Sequence, residues 1–311
     1  MRNNTVHDVT RKLRGCFAQF PQVQTVLYRL DLLINQEYVN AEPDHLLLMG
    51  ESGVGKSRIF EHFVSLHPRS ETAEHTVIPV LYAETPNDCT PKKLATELLR
   101  AMGSPLWNKG NEQELTHQLL VLLKACQTRM VLLDEANHLV ERGGAKSHYQ
   151  LGDWVKLTAR QARIPFVFGG TERTRELLNV NEQLRSRFRE TIRLQPFTLA
   201  TEEDALRTRS ALKVFESLMG EIDRINISDE ALASKMIFAT HGRLREIRKL
   251  LVRWAEIGYR KKTPSLTLKD LAQAFSEVIF PDAPKQRNPF LADFNGLALS
   301  LSGEPYAPAA R

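Results

Sequence analysis

Gly50, Glu51, Ser52, Gly53, Val54, Gly55, Lys56 and Ser57 spell G-x-x-x-x-G-K-S and directly follow an apolar run that ends at Met49. This is the pattern of a phosphate-binding loop. Its glycines let backbone N–H groups converge on phosphate oxygens, and Lys56 neutralises β- and γ-phosphate charge. The Ser57 hydroxyl is suited to ligate Mg²⁺, Arg58 is the last residue of the expected nucleotide-binding stretch, and the helix that must follow turns its positive N-terminus toward the anion. The loop therefore predicts binding of a nucleoside triphosphate with Mg²⁺. A second constellation, at 130–135, is an apolar run that ends in Asp134 and Glu135. It has the form of a Walker B motif, in which Asp134 holds Mg²⁺ through water and Glu135 orients and polarises the attacking water. An acidic pair after an apolar run is a weak signal alone, and gains its meaning from the phosphate loop upstream.

Three further groups could complete such a site. Thr171 follows the apolar run 164–168 and two glycines, which puts it at a strand end beside Glu135. There it can touch the γ-phosphate or the attacking water, or cap the helix starting at Glu172, and the two roles are compatible. The segment 183–189 sets Arg185, Arg187 and Arg189 at alternate positions. An arginine supplied by a neighbouring subunit stabilises transition-state charge in many ATPases. Arg187 is the first candidate and Arg185 the second, against the alternative of a solvated basic turn. Arg243, after Gly242 at the start of an amphipathic helix, either reaches back to the phosphates or is surface charge.

Positioning these groups requires an α/β fold. Apolar runs at 46–49, 77–83, 130–133, 164–168 and 191–194 alternate with helical patterns, which predicts a parallel sheet flanked by helices. Pro79 would cost a ladder hydrogen bond in a central strand, so the run 77–83 belongs at a sheet edge. An amphipathic helix over 20–35 delivers the chain to the first strand. After about Pro196 strand signals stop. Helix starts at Thr201, Ser228-Asp229-Glu230 and Thr267 predict a small all-helical unit over 201–280. Its third helix, 244–259, places Ile247, Leu250, Leu251, Trp254 and Ile257 on one face. The expected organisation is thus an α/β domain over 1–200 with a helical lead-in, a helical lid over 201–280 and a mobile, partner-docking tail over 281–311.

Bulk properties narrow the class. With 311 residues, 42 Lys and Arg against 37 Asp and Glu leave a net charge of only +5, so local clusters must carry any nucleic-acid argument. Cys16, Cys89 and Cys126 are odd in number and form no CxxC pair, which reads as reduced thiols rather than a disulfide framework or a zinc site. The N-terminus shows no apolar signal core and no stretch reaches membrane-spanning length, so a cytoplasmic, soluble protein is expected. No helix-turn-helix or zinc-finger spacing supports sequence-specific DNA recognition.

The order GESGVGKS, MVLLDE, FGGT, LRSRF and then HGRLREI resembles the AAA+ ATPases, whose strand order places the second strand at the edge. Within that superfamily the chain resembles the TniB/TnsC transposition regulators over roughly residues 20–275. The matching features are Gly169-Gly170-Thr171, the Arg-Phe-Arg element at 187–189 and the Gly-Arg-Leu-x-Glu-Ile pattern at 242–247. The resemblance implies an ATPase that assembles as a homo-oligomer, a ring or helical filament, on duplex DNA. It would link a target-selection protein of the TniQ type to a transposase. ATP would sit between protomers, with Arg187 completing a neighbour's site, and hydrolysis would loosen the assembly. Lys92 and Lys93 stand where related proteins have a Pro-Lys element facing DNA, which makes them candidate, sequence-independent phosphate contacts; a solvated helix start is the alternative. Two rival readings stay open: a nucleotide-gated protein-binding scaffold, and a replication-initiation or helicase-loading ATPase, for which a winged-helix domain would be the mark.

Overall fold

The computed structural model describes residues 2–36, 42–72, 75–141 and 143–307. The chain forms two compact units, one of residues 21–194 and one of residues 1–20 together with 195–311.

The first unit is built on five strands: β1 (Leu46–Gly50), β2 (Val80–Glu84), β3 (Met130–Asp134), β4 (Phe166–Gly170) and β5 (Glu190–Leu194). Their order is β2-β3-β4-β1-β5, and every pairing is parallel. Parallel strands covered on both faces must be apolar throughout, and β1, β3 and β4 are buried along nearly their whole length. On one face Leu47, Met49, Val131, Leu133, Phe166 and Phe168 share a core with helices α4 (Pro91–Met102), α5 (Glu112–Ala125) and α6 (Ala145–Ala162). On the other lies α3 (Lys56–Leu66), whose Phe60 sits where a Cβ on Gly169 would be. Helix α2 (Pro21–Asn35) buries Val23, Val26, Leu30 and Ile34, matching the expected amphipathic lead-in.

The edge position expected from Pro79 is met, but 77–83 is not one strand. Thr76–Val77 pairs antiparallel with Ser70–Glu71, while β2 starts only at Val80. Between them the Ile78 N–H goes to the Cys126 carbonyl and the Pro79 carbonyl accepts from Arg129, so the imino acid marks the break. Likewise the run at 164–168 yields a strand two residues later. Pro165 offers no N–H to the ladder, whereas Gly169 and Gly170 extend it.

Helices α7 (Arg175–Val180) and α8 (Glu182–Arg185) complete the first unit, and the second contains α1 (Arg2–Gly15), α9 (Glu202–Ser217), α10 (Glu230–Thr240), α11 (Leu244–Tyr259) and α12 (Leu268–Val278). The expected start signals hold at Thr201 and Thr267, whose hydroxyls accept from Asp204 and Asp270, but Asp229 makes no side-chain cap. Along α11 four of the five expected residues are buried; Ile257 is only partly so, and Val252, Ala255 and Tyr259 join instead.

Two features correct the expected organisation. Helix α1 is not a lead-in to the sheet: Val9 and Leu13 lie in the core of the helical unit with Trp254. Over residues 281–307 the chain is not a mobile tail either, because Phe290, Leu299 and Tyr306 are buried in that same core, and 308–311 lie outside the described residues. Arg287 and Glu304, each less than a tenth exposed, close it with a two-pronged ion pair. Phe290, Leu299 and Tyr306 thus find their partners within the chain, whereas Leu297 and Leu301 remain exposed. Among the described residues no helix is long and apolar enough to cross a membrane.

Candidate nucleotide-binding site

The phosphate loop leaves β1 at Gly50 and enters α3 at Lys56. Gly53 (φ 86°) and Gly55 (φ 113°) occupy the left-handed region that side chains disfavour. A Cβ on Gly50 would lie 2.7 Å from the Leu194 carbonyl oxygen, so the close approach of β1 to β5 also demands glycine. Glu51 and Ser52 are exposed at the loop's outer edge, and Val54 is buried beneath it. Lys56 is 5% exposed, and its Nζ donates to the carbonyls of Gly50 (2.8 Å) and Glu51 (3.0 Å). Ser57 and Arg58 are half-buried in the first turn of α3, with Arg58 paired to Glu61. The first turn of a helix leaves its N–H groups without intrahelical partners, and the loop directs them to one place.

Asp134 ends β3 and is 1% exposed. One oxygen accepts from the Tyr82 hydroxyl (3.2 Å) and the other from the Glu135 N–H (2.9 Å). Burial and the neighbouring Asp134 charge push the Tyr82 phenol well above its ordinary value, so it stays a donor. A Cβ on Gly169 would stand 3.2 Å from the Asp134 oxygen that accepts the Glu135 N–H. Glu135 follows with φ 48° and ψ 40°, a conformation that costs a non-glycine residue about 1 kcal/mol or more and aims it away from the strand line. Around this strand end the hydroxyls of Thr85 and Thr174 and the side-chain oxygen of Asn137 are buried without a hydrogen-bond partner among the described residues. Thr85 also donates its N–H to the Asp134 carbonyl, while Asn137 and Thr174 both crowd Gly170. Buried polar atoms left over beside two carboxylates suit a site that holds water, a cation and phosphate. The residues present therefore fit Mg²⁺ and a nucleotide. Tyr82, Thr85 and Asn137 carry no motif of their own; the pairing of β2 with β3 brings the first two here, and Asn137 follows Glu135 in the turn Ala136–Leu139.

Thr171 lies one residue beyond β4, at the same end of the sheet, partly exposed. It occupies the N-cap position of the short turn Glu172–Thr174, yet its side chain makes no capping bond. The arginine segment is held by two anchors. Asn181, 1% exposed, accepts the Leu184 N–H at 2.9 Å and so caps the short helix Glu182–Arg185. Phe188 is buried against Phe168 and His45, with ring centroids 4.6 and 5.1 Å away. The arginines fan out around them: Arg185 is exposed near Glu182, Arg187 pairs with Glu42, and Arg189 pairs with Asp44. Lys92 and Lys93 are exposed in the first turn of α4, capped by Thr90. Arg243 belongs to the helical unit, at the N-cap of α11, with its guanidinium 5.1 Å from the centre of the Tyr306 ring.

Several solved structures share this architecture. The chain is similar to Cdc6p from Pyrobaculum aerophilum, at 17% identity over 85% of this chain and 69% of that one, with a TM-score of 0.61. The ORC2 protein of Aeropyrum pernix, in ADPNP-ADP complexes, gives 16% identity over 86% and 72% with a TM-score of 0.61. The ORC1 protein of the same organism, in complex with DNA, gives 19% over 82% and 64% with a TM-score of 0.58. At such identities the likeness is one of fold, that of the P-loop AAA+ proteins. No curated protein matches the sequence. Residues 11–199 match the family model described as the bacterial TniB protein, and with its phosphate loop and paired strand-end carboxylates the chain belongs to the TniB family of AAA+ ATPases.

Proposed function

We propose that this protein is an ATP-dependent regulator of transposition that oligomerises on duplex DNA and connects a target-selection protein of the TniQ type to a transposase. The reading is carried by the strand ends: the loop after β1 and the Asp134–Glu135 pair after β3 lie at the same edge of one parallel sheet, separated only by β4 and its Thr171. In open α/β sheets that edge is where ligands bind.

In this reading the residues 50–58 cradle the triphosphate, with Lys56 exchanging its loop carbonyls for β- and γ-phosphate oxygens. Ser57 and Asp134 would hold Mg²⁺, which supplies charge neutralisation for the phosphates when bound. Tyr82 orients the Asp134 carboxylate. Glu135 accepts a hydrogen bond from the attacking water and polarises it, and Thr171 fixes that water or the γ-phosphate. Arg187, with Arg185 as second candidate, completes the site of a neighbouring protomer, for which Arg187 leaves Glu42. Hydrolysis is slow and loosens the assembly. Lys92 and Lys93, exposed beside a helix N-terminus, contact DNA phosphates without reading sequence.

The test is negative-stain imaging with duplex DNA, comparing a slowly hydrolysed ATP analogue with ADP, and Lys56→Ala as control. Regular assemblies on DNA with the analogue alone, absent in the variant, are expected. Nucleotide-bound particles indifferent to DNA would overturn the DNA-assembly reading in favour of a nucleotide-gated scaffold.

A further inference from the structure

A pocket of about 720 Å³ opens where β2, β3 and β4 begin, the end of the sheet opposite the nucleotide site. Strands of this length separate the two ends by roughly 16 Å. The whole lining belongs to the unit of residues 21–194. Its apolar part includes Val77, Pro79, Leu120 and Leu123, and its charged part is Lys124, Arg129 and Arg163. Among the described residues no carboxylate lines it. A concave, largely apolar recess with a few polar groups of one sign has the character of a binding site.

The three cations keep their charge. Lys124, in the last turn of α5, and Arg163, at the end of α6, are exposed, and among the described residues neither side chain has a hydrogen bond or an ion pair. Arg129 donates to the Ile34 carbonyl (2.6 Å) and the Asn35 side-chain oxygen (3.1 Å), both uncharged. The carboxyl ends of α5 and α6 bring about half a negative charge each, less than the three positive charges beside them. Arg163 also adopts φ 57°, at a helix end where glycine is the usual residue. A position that needed only to stop the helix is better served by glycine, yet here it carries a guanidinium. Thr128, 6% exposed, adds to the lining a buried hydroxyl that has no hydrogen-bond partner among the described residues.

We infer that this pocket docks an acidic, partly apolar segment of a partner protein. The segment's carboxylates meet Lys124, Arg129 and Arg163, and its apolar side chains cover Pro79, Leu120 and Leu123. A DNA backbone offers the negative charge without the apolar groups, and so answers only half of the lining. Docking here leaves the nucleotide site open, because the phosphate loop and the Asp134–Glu135 pair lie at the other end of the strands. The inference stands apart from assembly on DNA, which concerns a different surface.

The experiment selects a random-peptide display library on the full-length protein, then measures the enriched peptides by fluorescence polarisation against wild type, Arg163→Gly, Lys124→Glu and the double variant. Peptides that combine Asp or Glu with apolar residues should be enriched, and the double variant should bind them about ten-fold more weakly or worse. Enrichment of neutral or basic peptides, or equal affinity for the double variant, would overturn the inference. Arg163→Gly separates binding from helix termination. It should raise the thermal midpoint by about 2–4 °C, since glycine suits the left-handed backbone, and still weaken the peptide. A lowered midpoint with unchanged peptide affinity would show that Arg163 only offsets the helix dipole, and the inference fails. Duplex DNA is titrated in parallel: a loss of DNA affinity in the double variant with peptide affinity intact would assign the pocket to nucleic acid and overturn the inference. ATP hydrolysis should match wild type in every variant, which serves as the check that each is folded.

Discussion

At the scale of single residues, the site depends on two carboxylates placed in unlike surroundings. Asp134 is buried and accepts two hydrogen bonds, whereas Glu135 is turned out of the strand by its left-handed backbone and is partly exposed. The first is built to be held and the second to meet water. Glu135→Gln keeps the shape and removes the charge that polarises the nucleophile. Hydrolysis should fall about 10²- to 10⁴-fold while nucleotide affinity stays close to wild type, measured by phosphate release and by titration. A parallel loss of affinity would remove Glu135 from the proposed role. His45 is a different case, a residue whose chemistry is silenced. Burial pulls its imidazole down from about 6.5 to about 4, and Nδ1 accepts from the Phe166 N–H (3.3 Å), which requires the neutral ring. The unfolded chain takes up this proton below about pH 6.5, and the folded chain not until about pH 4. Stability from this group is therefore complete above pH 6.5 and declines down to about pH 4, by about 3 kcal/mol. Urea unfolding across that range should show the slope, and His45→Asn should flatten it.

At the scale of elements, the short helix Glu182–Arg185 shows how a scaffold presents charge. Four residues cannot hold a helix by themselves. Asn181 closes its first turn through Leu184, and Gly152 of α6 leaves room for it, since a Cβ there would stand 3.1 Å from the Asn181 amide nitrogen. Asn181→Ala should cost about 1–3 kcal/mol, because it removes a cap and leaves a buried N–H unpaired. Chemical denaturation measures that cost. A fall in ATPase rate under conditions where the variant remains folded is expected if Arg185 and Arg187 work from this turn; an unchanged rate would leave them as surface charge. The broken run at 77–83 makes a related point. Pro79 decides where β2 begins, and that beginning sets the register that pairs Glu84 with Asp134 and brings Tyr82 to the Asp134 carboxylate.

At the scale of the whole molecule, the helical unit is assembled from both ends of the chain. Residues 1–20 and the segment after Phe280 add Val9, Leu13, Phe290, Leu299 and Tyr306 to one core. The buried Arg287–Glu304 pair fastens the last part, and the Arg287 guanidinium holds the Glu304 carboxyl below its usual range. Arg287→Met leaves Glu304 buried without its counter-charge and should destabilise this unit by about 3–5 kcal/mol, seen as a lowered thermal transition and faster proteolysis after residue 280. Replacing both partners with apolar residues should recover much of that loss. A silent Arg287→Met would show that the segment is held by its apolar contacts alone.

The amino-acid sequence determined the parts that depend on local chemistry. Glycines that must take positive φ, a lysine and a hydroxyl at fixed spacing, and apolar runs that end in charge mark the phosphate loop and the Asp134–Glu135 pair wherever the chain runs. The helical pattern of 244–259 is equally local, and its bounds are met. Tertiary structure alone decided what depends on partners distant along the chain. Tyr82 reaches Asp134 from 52 residues away and Tyr306 reaches Ala239 from 67, and no periodicity encodes either pairing. For the same reason the segment after Phe280 reads as a loose tail from its prolines and polar residues. Whether scattered apolar side chains wait for a partner or find one at home is settled by the shape of a core that forms only when the whole unit folds.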